Sequence, residues 1–342
     1  MTAALTETAL SRIRADVRAM HAYTVQAADG LLKMDAMENP FGLPPALQAA
    51  LGQRLGALAL NRYPGPRTEV LRDALARHAG MPEGCALILG NGSDELISLV
   101  ALACAWPGAQ VLAPLPGFVM YGMSAQLQGL GFTGVALTPD FELDAAAMEA
   151  AIAQHRPAIT YIAYPNNPTA TLWDDTAVLR TIDAAGAQGG IVVIDEAYQP
   201  FASRTWLDRM RAEPARHGHV LLMRTLSKFG LAGVRLGYLM GPAALVHEID
   251  KVRPPYNVSV LNSEAALFAL EHADVFAAQA AELRAGRDLL VAQLRALPGV
   301  LKVWDSEANM VLVRVADAGK AYEGMKTRKV LIKNVSTMHP LL

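Results

Sequence analysis

This sequence has few cysteines and almost no net charge. Of its 342 residues only Cys85 and Cys104 are cysteines, and their spacing matches no zinc-binding pattern. The 30 basic and 32 acidic residues nearly cancel, and no basic run is present that would bind nucleic acid or a membrane surface. We therefore expect no metal, no nucleic-acid partner and no membrane partner, and small molecules as the substrates.

Long hydrophobic runs are absent as well. The apolar segment from Leu96 to Trp106 is followed at once by Pro107 and Gly108, so it is too short to span a membrane and is typical of a buried helix. The N-terminus lacks the uninterrupted apolar core of a signal peptide. The cytoplasm is therefore the expected location.

Apolar residues, by contrast, make up 52% of the chain and charged residues 18%, which is enough for a sizeable core. Helical periodicity alternates with short β-branched runs, and this favours an α/β fold with a mostly parallel sheet flanked by helices. The predicted strands are Ala86 to Leu89, Gln110 to Ala113, Ala158 to Ala163, Ile191 to Asp195 and Val220 to Arg224; the predicted helices are Glu69 to Ala79, Glu95 to Trp106 and Asp174 to Ala187.

Two prolines in Arg253-Pro254-Pro255-Tyr256 interrupt this alternation and indicate a domain boundary. A long helical region at 263–297 follows, with strands at 300–304 and 310–315. We expect an N-terminal arm and small-domain segment at 1–40, a large cofactor-binding domain at 41–255 and a smaller α+β domain at 256–342 that covers the opening of the site.

Lys228 is the main candidate for chemistry. It stands beside Ser227 in otherwise small and apolar surroundings, with Arg235 seven residues further on. A solitary lysine is usually a solvated surface charge, but loss of hydration and a nearby cation both favour its neutral, nucleophilic form. This pattern predicts a Schiff base between Lys228 and a phosphorylated aldehyde.

Such a cofactor needs an acid at its ring nitrogen and a donor at its ring oxygen. The apolar run Ile191 to Ile194 predicts a buried strand that delivers Asp195 at its carboxyl end, where the carboxylate can pair with a pyridinium. Tyr198 can reach the ring oxygen. A helix cap or turn is the structural alternative for Asp195.

Two loops complete the predicted site. The segment from Gly90 to Glu95 follows a strand and opens a helix, so its backbone amides and the helix dipole suit a phosphate. A simple helix cap by Ser93 or Asp94 is the structural alternative. Asn167 lies between two prolines on a stiff loop that follows another strand, and a simple turn is the alternative reading there.

Taken together, these segments resemble the fold-type I, class I/II pyridoxal-phosphate aminotransferases and, within them, the histidinol-phosphate aminotransferase family. The resemblance runs from about Val17 to the C-terminus. It rests on six motifs in the family's order: Glu38-Asn39-Pro40, Asn61-Arg62-Tyr63-Pro64, Gly92-Ser93-Asp94-Glu95, Pro165-Asn166-Asn167-Pro168-Thr169, Asp195-Glu196-Ala197-Tyr198 and Thr225-Leu226-Ser227-Lys228.

The resemblance implies pyridoxal 5'-phosphate as the cofactor, attached to Lys228, with its ring nitrogen on Asp195. Asn167 and Tyr198 then lie at the ring oxygen, and Tyr121 stacks on the ring. The residues that match the family's phosphate contacts are Ser93, Asp94, Thr225, Ser227 and Arg235.

The resemblance also bears on the substrate and on assembly. Tyr23 matches an N-terminal residue that closes over the substrate, and Lys333 occupies a position that an arginine for the substrate phosphate often fills. Tyr63 matches a residue that the neighbouring subunit contributes, which implies a homodimer. Relatives continue beyond Leu342 through a strand with a further arginine, so we expect the chain to be truncated.

The expected activity is transfer of the amino group of L-histidinol phosphate to 2-oxoglutarate in histidine biosynthesis. Lys228 acts first as nucleophile and then as the shuttle of the α-proton. The alternatives are an aromatic amino acid aminotransferase and a decarboxylase of a phosphorylated amino acid. A ligand sensor fused to a DNA-binding module is disfavoured, because only about thirty residues precede the first family motif and none form a basic recognition helix.

Overall fold

A computed structural model describes residues 2–22 and 26–342 of the chain. Its helices are α1 (Thr2–Leu10), α2 (Ala15–Ala19), α3 (Pro45–Gly56), α4 (Arg67–Ala79), α5 (Ser93–Ala103), α6 (Met120–Gln128), α7 (Ala145–His155), α8 (Asp175–Ala187), α9 (Leu207–Ala212), α10 (Ala243–Asp250), α11 (Val260–Glu271), α12 (Ala273–Arg295) and α13 (Ala318–Thr327). Its strands are β1 (Leu32–Lys33), β2 (Cys85–Gly90), β3 (Gln110–Leu115), β4 (Gly131–Ala136), β5 (Ile159–Ala163), β6 (Ile191–Asp195), β7 (Val220–Thr225), β8 (Gly237–Pro242), β9 (Val300–Val303), β10 (Val313–Val315) and β11 (Val330–Leu331).

A seven-stranded sheet in the order β2-β8-β7-β6-β5-β3-β4 forms the centre of the fold. The five strands from β7 to β4 are parallel, whereas β8 runs antiparallel to both of its neighbours. Alternate residues of β6 and β7 enter two separate cores: Ile194 and Leu222 pack on one face, Val193 and Met223 on the other. Both faces are therefore covered, as the continuous apolar runs require.

The strands and helices predicted from the sequence are confirmed to within a few residues at their ends. Other elements were not predicted, among them the strands β4 and β8 of the central sheet. The glycines at 237 and 241 weaken the strand signal of β8. The predicted helical region at 263–297 is two helices, because His272 leaves the helical conformation between α11 and α12.

The N-terminal and C-terminal parts of the chain meet in one of two small sheets. β1 pairs in parallel with β11, and β9 pairs antiparallel with β10, so the segment before residue 40 joins the C-terminal part. The domain limits stay a prediction, and α11, directly after the predicted boundary, packs on α3 and α4 of the large domain. Within the ranges that the structure describes, no helix is long and apolar enough to cross a membrane.

Candidate active site

The candidate site lies where the carboxyl ends of several strands meet. Asp195 ends β6 and Thr225 ends β7, and these two strands are parallel neighbours. Because β8 is antiparallel to both β2 and β7, the end of β2 falls on the same edge. The register confirms this, since Gly90 and Thr225 both pair with Gly237. Ligands bind at such an edge in open α/β sheets.

Lys228 stands in a short helical turn, Ser227–Leu231, directly after β7. Its Nζ donates to the carbonyl oxygen of Ala36 at 2.8 Å and lies 5.6 Å from the centre of the Tyr198 ring. Burial lowers the pKa of Lys228 to about 8. The negative charge of Glu38 opposes this shift, and the positive charges of Arg235 and Lys333 add to it. A substantial fraction of this amine is therefore uncharged near neutral pH.

Asp195 is buried, and loss of hydration raises its pKa to about 6. Two hydrogen bonds oppose that rise. Tyr121 donates its hydroxyl to Oδ2 at 2.6 Å, and the backbone N–H of Ala197 donates to Oδ1 at 3.0 Å. The carboxylate is thus fixed in orientation at the strand end and sits in surroundings where a cationic partner would be favourable.

Tyr121 is held by one contact on its ring and another on its hydroxyl. Its ring stacks on Tyr161, with the ring centres 4.3 Å apart, and its hydroxyl is bound to Asp195. Tyr198 is also buried, and burial raises the pKa of its phenol. The structure therefore brings Tyr121, Tyr198 and Asp195 together, while their contacts with a cofactor ring stay a prediction.

The hydroxyl groups and the guanidinium predicted for the phosphate lie together at the end of β7. Thr225 donates to Ser227 Oγ at 3.0 Å, and Arg235 Nη1 donates to the same oxygen at 3.2 Å. Arg235 Nη2 lies 3.6 Å from a carboxylate oxygen of Asp94. The seven-residue spacing therefore still brings the guanidinium to this loop, because Arg235 adopts a left-handed conformation with φ of 53°.

The loop opposite these groups has the shape of an anion cradle. Gly92, not Ser93 or Asp94, is the cap residue of α5, and no side chain caps this helix, so the capping alternative is not what the structure shows. Gly92 has φ of 85°, and a Cβ on Gly237 would come within 2.9 Å of the backbone of Gly92 and Ser93. The first amides of α5 and the dipole of the helix suit a phosphate there, so these residues fit the phosphate of pyridoxal phosphate.

The loop that carries Asn167 is held in place by the side chain of Asn166. Asn166 is buried, and its side-chain amide donates to the carbonyl of Pro116 at 3.0 Å and to Thr169 Oγ1 at 2.9 Å. Ala170 has φ of 61° and is fully buried. Asn167 itself is half-buried, on a loop that these hydrogen bonds of Asn166 hold in place.

Three predicted site residues remain, namely Lys333, Tyr63 and Tyr23. Lys333 is near enough to lower the pKa of Lys228. Tyr63 lies on the surface, 76% exposed, and stacks on the exposed Tyr256 with ring centres 4.4 Å apart. Tyr23 falls outside the residues that the structure describes.

One buried ion pair behind the site was missed by the sequence analysis. Arg224 Nε donates to Glu196 Oε2 at 2.9 Å, and Arg224 Nη2 donates to Thr205 Oγ1 at 2.9 Å. Glu196 directly follows Asp195, and Arg224 directly precedes Thr225. The pair therefore ties together the strand ends that carry two of the site residues. Its only sequence signal was the presence of opposite charges in two otherwise apolar strands.

Comparison with known proteins agrees with this geometry. The family profile described as aminotransferase class I and II matches residues 29–339. This chain belongs to the class I and II aminotransferases. The histidinol-phosphate aminotransferase of Acidovorax sp. (strain JS42) is 80% identical over 334 residues, which are 98% of this chain and 91% of that one. The enzyme of the same name from Methylibium petroleiphilum is 71% identical, over 96% and 88% of the two chains. Within the family, this aminotransferase therefore belongs with the histidinol-phosphate aminotransferases.

Solved structures confirm the fold of the aminotransferase. The histidinol-phosphate aminotransferase of Sinorhizobium meliloti, in complex with pyridoxal-5'-phosphate, superimposes with a TM-score of 0.81 at 24% identity, over 94% of this chain and 89% of that one. The L-threonine-O-3-phosphate decarboxylase of Porphyromonas gingivalis gives 0.74 at 21% identity, over 90% of each chain. Since both likenesses are in fold, the choice of reaction depends on the close relatives and on the site.

Proposed function

We propose that this protein is a pyridoxal-phosphate-dependent aminotransferase that converts L-histidinol phosphate and 2-oxoglutarate to imidazole acetol phosphate and glutamate. The observation that carries the proposal is the half-buried Lys228, with its pKa lowered to about 8, on the same sheet edge as the buried Asp195 and an anion cradle. Relatives that are 80% and 71% identical over nearly the whole chain support the substrate.

Lys228 performs the covalent work and the proton transfer. Its uncharged amine is the group that would hold the aldehyde of the cofactor covalently. Once the substrate amine has taken its place, the Nζ of Lys228 would be free to take the α-proton of the substrate and to return a proton. When bound, pyridoxal phosphate supplies an electron-accepting ring that stabilises the negative charge left by loss of the α-proton.

Asp195 and its neighbours set the charge of that ring. The carboxylate would hold the pyridine nitrogen protonated, since an ion pair with the nitrogen offsets the cost of keeping Asp195 charged while buried. Tyr198 and Asn167 would donate to the ring oxygen. Tyr121, whose hydroxyl lies on Asp195, would bound the ring on one side.

The phosphate would lie against the N-terminus of α5. Backbone amides of Ser93 and Asp94, the hydroxyls of Thr225 and Ser227, and the guanidinium of Arg235 are the donors available there. A second anion, the phosphate of the substrate, would meet Lys333, and Tyr23 would close the site.

A second copy of the chain would complete the site. The exposed Tyr63 and Tyr256 are accompanied by the exposed Leu60 and Leu261, and they line a cleft of about 650 Å³. A patch of stacked aromatic and aliphatic side chains on a monomer surface is typical of an interface. We therefore expect a homodimer in which Tyr63 reaches the neighbouring site.

The cytoplasm stays the expected compartment. Cys85 and Cys104 are both free thiols, and burial raises the pKa of each. Free thiols suit a reducing environment.

The first test is the absorbance spectrum of the protein with pyridoxal phosphate, before and after addition of L-histidinol phosphate without an oxo acid. We expect the band of the lysine-linked cofactor to be lost, with stoichiometric imidazole acetol phosphate and pyridoxamine phosphate detected by mass spectrometry. Addition of 2-oxoglutarate should then restore the band and yield glutamate.

Each other outcome has a distinct meaning. A band that responds only to L-phenylalanine or L-tyrosine would move the substrate to aromatic amino acids. Release of carbon dioxide without pyridoxamine phosphate would mean decarboxylation. Absence of a lysine-linked band, checked by borohydride reduction and peptide mapping at Lys228, would overturn the proposal.

A further inference from the structure

The segment after α10 reaches the phosphate-facing loop from behind. Asn257 stands in it between the exposed Tyr256 and the fully buried Val258. Its Nδ2 donates to the carbonyl oxygen of Leu89 at 3.0 Å and to Glu95 Oε2 at 2.7 Å. One side-chain amide therefore bonds both the strand that enters the loop and the helix that leaves it.

Glu95 continues this network into the loop itself. The same oxygen, Oε2, accepts the backbone N–H of Asn91 at 2.6 Å. Leu89 and Asn91 flank Gly90, so the loop is held at two points on either side of its first glycine. Glu95 lies in the first turn of α5, where a carboxylate is also favoured by the helix dipole.

The orientation of the Asn257 amide is fixed by a third contact. Its Oδ1 accepts a hydrogen bond from Arg253 Nη1 at 3.1 Å, and Arg253 is held in turn by Asp250 at 2.6 Å. Turning the amide over would set its oxygen against the carbonyl of Leu89 and the carboxylate of Glu95, so the donors must face the loop.

The loop has little room to move. Gly92 has φ of 85°, and a Cβ there would come within 2.5 Å of Arg235 Nη2, so the guanidinium is packed directly on the loop. A cradle of backbone amides binds an anion only while several N–H groups converge on one point. A small shift of residues 90–93 would therefore weaken phosphate binding while leaving Lys228 in place.

We propose that Asn257 and Glu95 are positioning residues that hold the loop 90–93 in the shape required by the cofactor phosphate. The inference rests on the assignment of this loop to the phosphate under the proposed function. Neither residue needs to touch the cofactor. Their effect is confined to the phosphate end of the site, and that restriction separates them from residues that merely stabilise the fold.

The test compares two aldehydes, pyridoxal 5'-phosphate and pyridoxal, which differ only in the phosphate. Both form the link to Lys228, so the dissociation constant of each can be titrated by absorbance on the cofactor-free protein. In Asn257→Asp the side chain keeps its size and its acceptor for Arg253, but a carboxylate oxygen replaces the amide nitrogen against Leu89 and Glu95. We expect affinity for pyridoxal phosphate to fall about tenfold or more, and affinity for pyridoxal to change less than about twofold.

Two further variants make the test specific. Glu95→Gln keeps an acceptor for the N–H of Asn91, so on its own it should lower the affinity for pyridoxal phosphate by less than about threefold. Combined with Asn257→Asp it removes the repulsion between the two carboxylates, so the double variant should regain part of the lost affinity. Asn262→Asp, in α11 and bonded to Ser259 instead, adds the same charge away from the loop and should change neither affinity.

Several results would overturn the inference. Equal losses for both aldehydes would mean a general structural role, and an unchanged affinity for pyridoxal phosphate would mean that the contacts are dispensable. The double variant keeps the test decisive if Asn257→Asp folds poorly, which thermal denaturation of the cofactor-free protein would reveal. If the wild-type protein binds both aldehydes equally, the phosphate assignment itself fails, and the inference falls with it.

Discussion

Asp195 is buried and Lys228 is half-buried, their charges are of opposite sign, and loss of hydration moves the pKa of each towards neutrality. Each group is therefore held at a cost to the stability of the cofactor-free protein, and bound cofactor would offset that cost. Functional groups are often placed in this way, where a partner is supplied only by the ligand.

The Asp195→Asn variant should lose activity and yet be the more stable protein above pH 6 when the cofactor is absent. Asp195→Asn removes the charge that keeps the ring nitrogen protonated, so transamination should fall by about 100-fold or more. The folded-state pKa of Asp195 is raised to about 6. Its favourable contribution to the free energy of unfolding is therefore present below the ordinary carboxyl pKa and is lost as pH rises through 6. Above that pH the cofactor-free variant should be the more stable protein, by on the order of 2–3 kcal/mol in urea denaturation.

An equal or lower stability of the Asp195→Asn variant above pH 7 would contradict this account of the carboxylate. The comparison should be repeated near pH 4, where both side chains are neutral and the two curves should meet.

Lys228 should show the opposite dependence on pH. Its folded-state pKa is depressed to about 8, so its contribution to stability is fully present above the ordinary lysine pKa and is lost as pH falls through 8. Cofactor-free Lys228→Met should be more stable than wild type at pH 7, with a gap that narrows between pH 8 and pH 10. Denaturation curves at four pH values would measure it.

The matched control is Lys326→Met on α13, whose side chain is 40% exposed. Comparing this variant with wild type at the same four pH values measures the effect that a lysine-to-methionine change has elsewhere on the chain. A gap for Lys228→Met that follows the same course with pH would mean that Lys228 is not desolvated in the cofactor-free protein.

At the scale of elements, one buried carboxylate joins three helices. Glu264 on α11 is 2% exposed and is paired with Arg67 on α4, at 2.6 and 2.7 Å, and with Arg54 on α3. Arg54 also bonds Glu271, which is 52% exposed. The cluster fixes α3 and α4, the helices on either side of the Tyr63 segment, against α11.

Removing the buried partner should be far more costly than removing the exposed one. Glu264→Ala leaves two guanidinium groups without their buried partner, and we expect a loss of about 2 kcal/mol or more in the free energy of unfolding. Glu271→Gln should lose less than about 1 kcal/mol, because an exposed ion pair contributes little. Urea denaturation of both variants would check the order, and similar losses would mean that burial does not set the energetics here.

Much of the fold and of the candidate site could be predicted because its signals are local. The run Ile191 to Asp195 and the motif that ends in Lys228 are short and contiguous, and alternation of strands and helices orders them on one edge. The contacts that orient the groups could not be predicted in this way. Tyr121 and Asp195 are 74 residues apart, and Asn257 and Leu89 are 168 apart, so only the folded chain brings them together.

At the scale of the whole molecule, the proposed homodimer can be tested by mixing two inactive variants. Lys228→Ala lacks the nucleophile, and Tyr63→Ala lacks the group proposed to reach the neighbouring site. If each site uses its own Lys228 and the partner's Tyr63, a mixed dimer has one intact site and one site with both defects.

Subunit exchange at equal concentrations should therefore restore roughly a quarter of wild-type activity, because half of the dimers are mixed and each has one working site. Activity would be followed after brief exposure to mild urea and dilution. No recovery, although mass spectrometry shows mixed dimers, would mean that Tyr63 serves the site of its own chain.

The depressed pKa of Lys228 also makes this residue a chemical target. At pH 7 about a tenth of its amines would be uncharged, against about one in a few thousand for an ordinary lysine. Amine-reactive reagents small enough to enter, such as cyanate, should therefore modify Lys228 ahead of the surface lysines when the cofactor is absent. Storage of the cofactor-free protein in aged urea would destroy its activity at a single position, and saturation with pyridoxal phosphate would protect it.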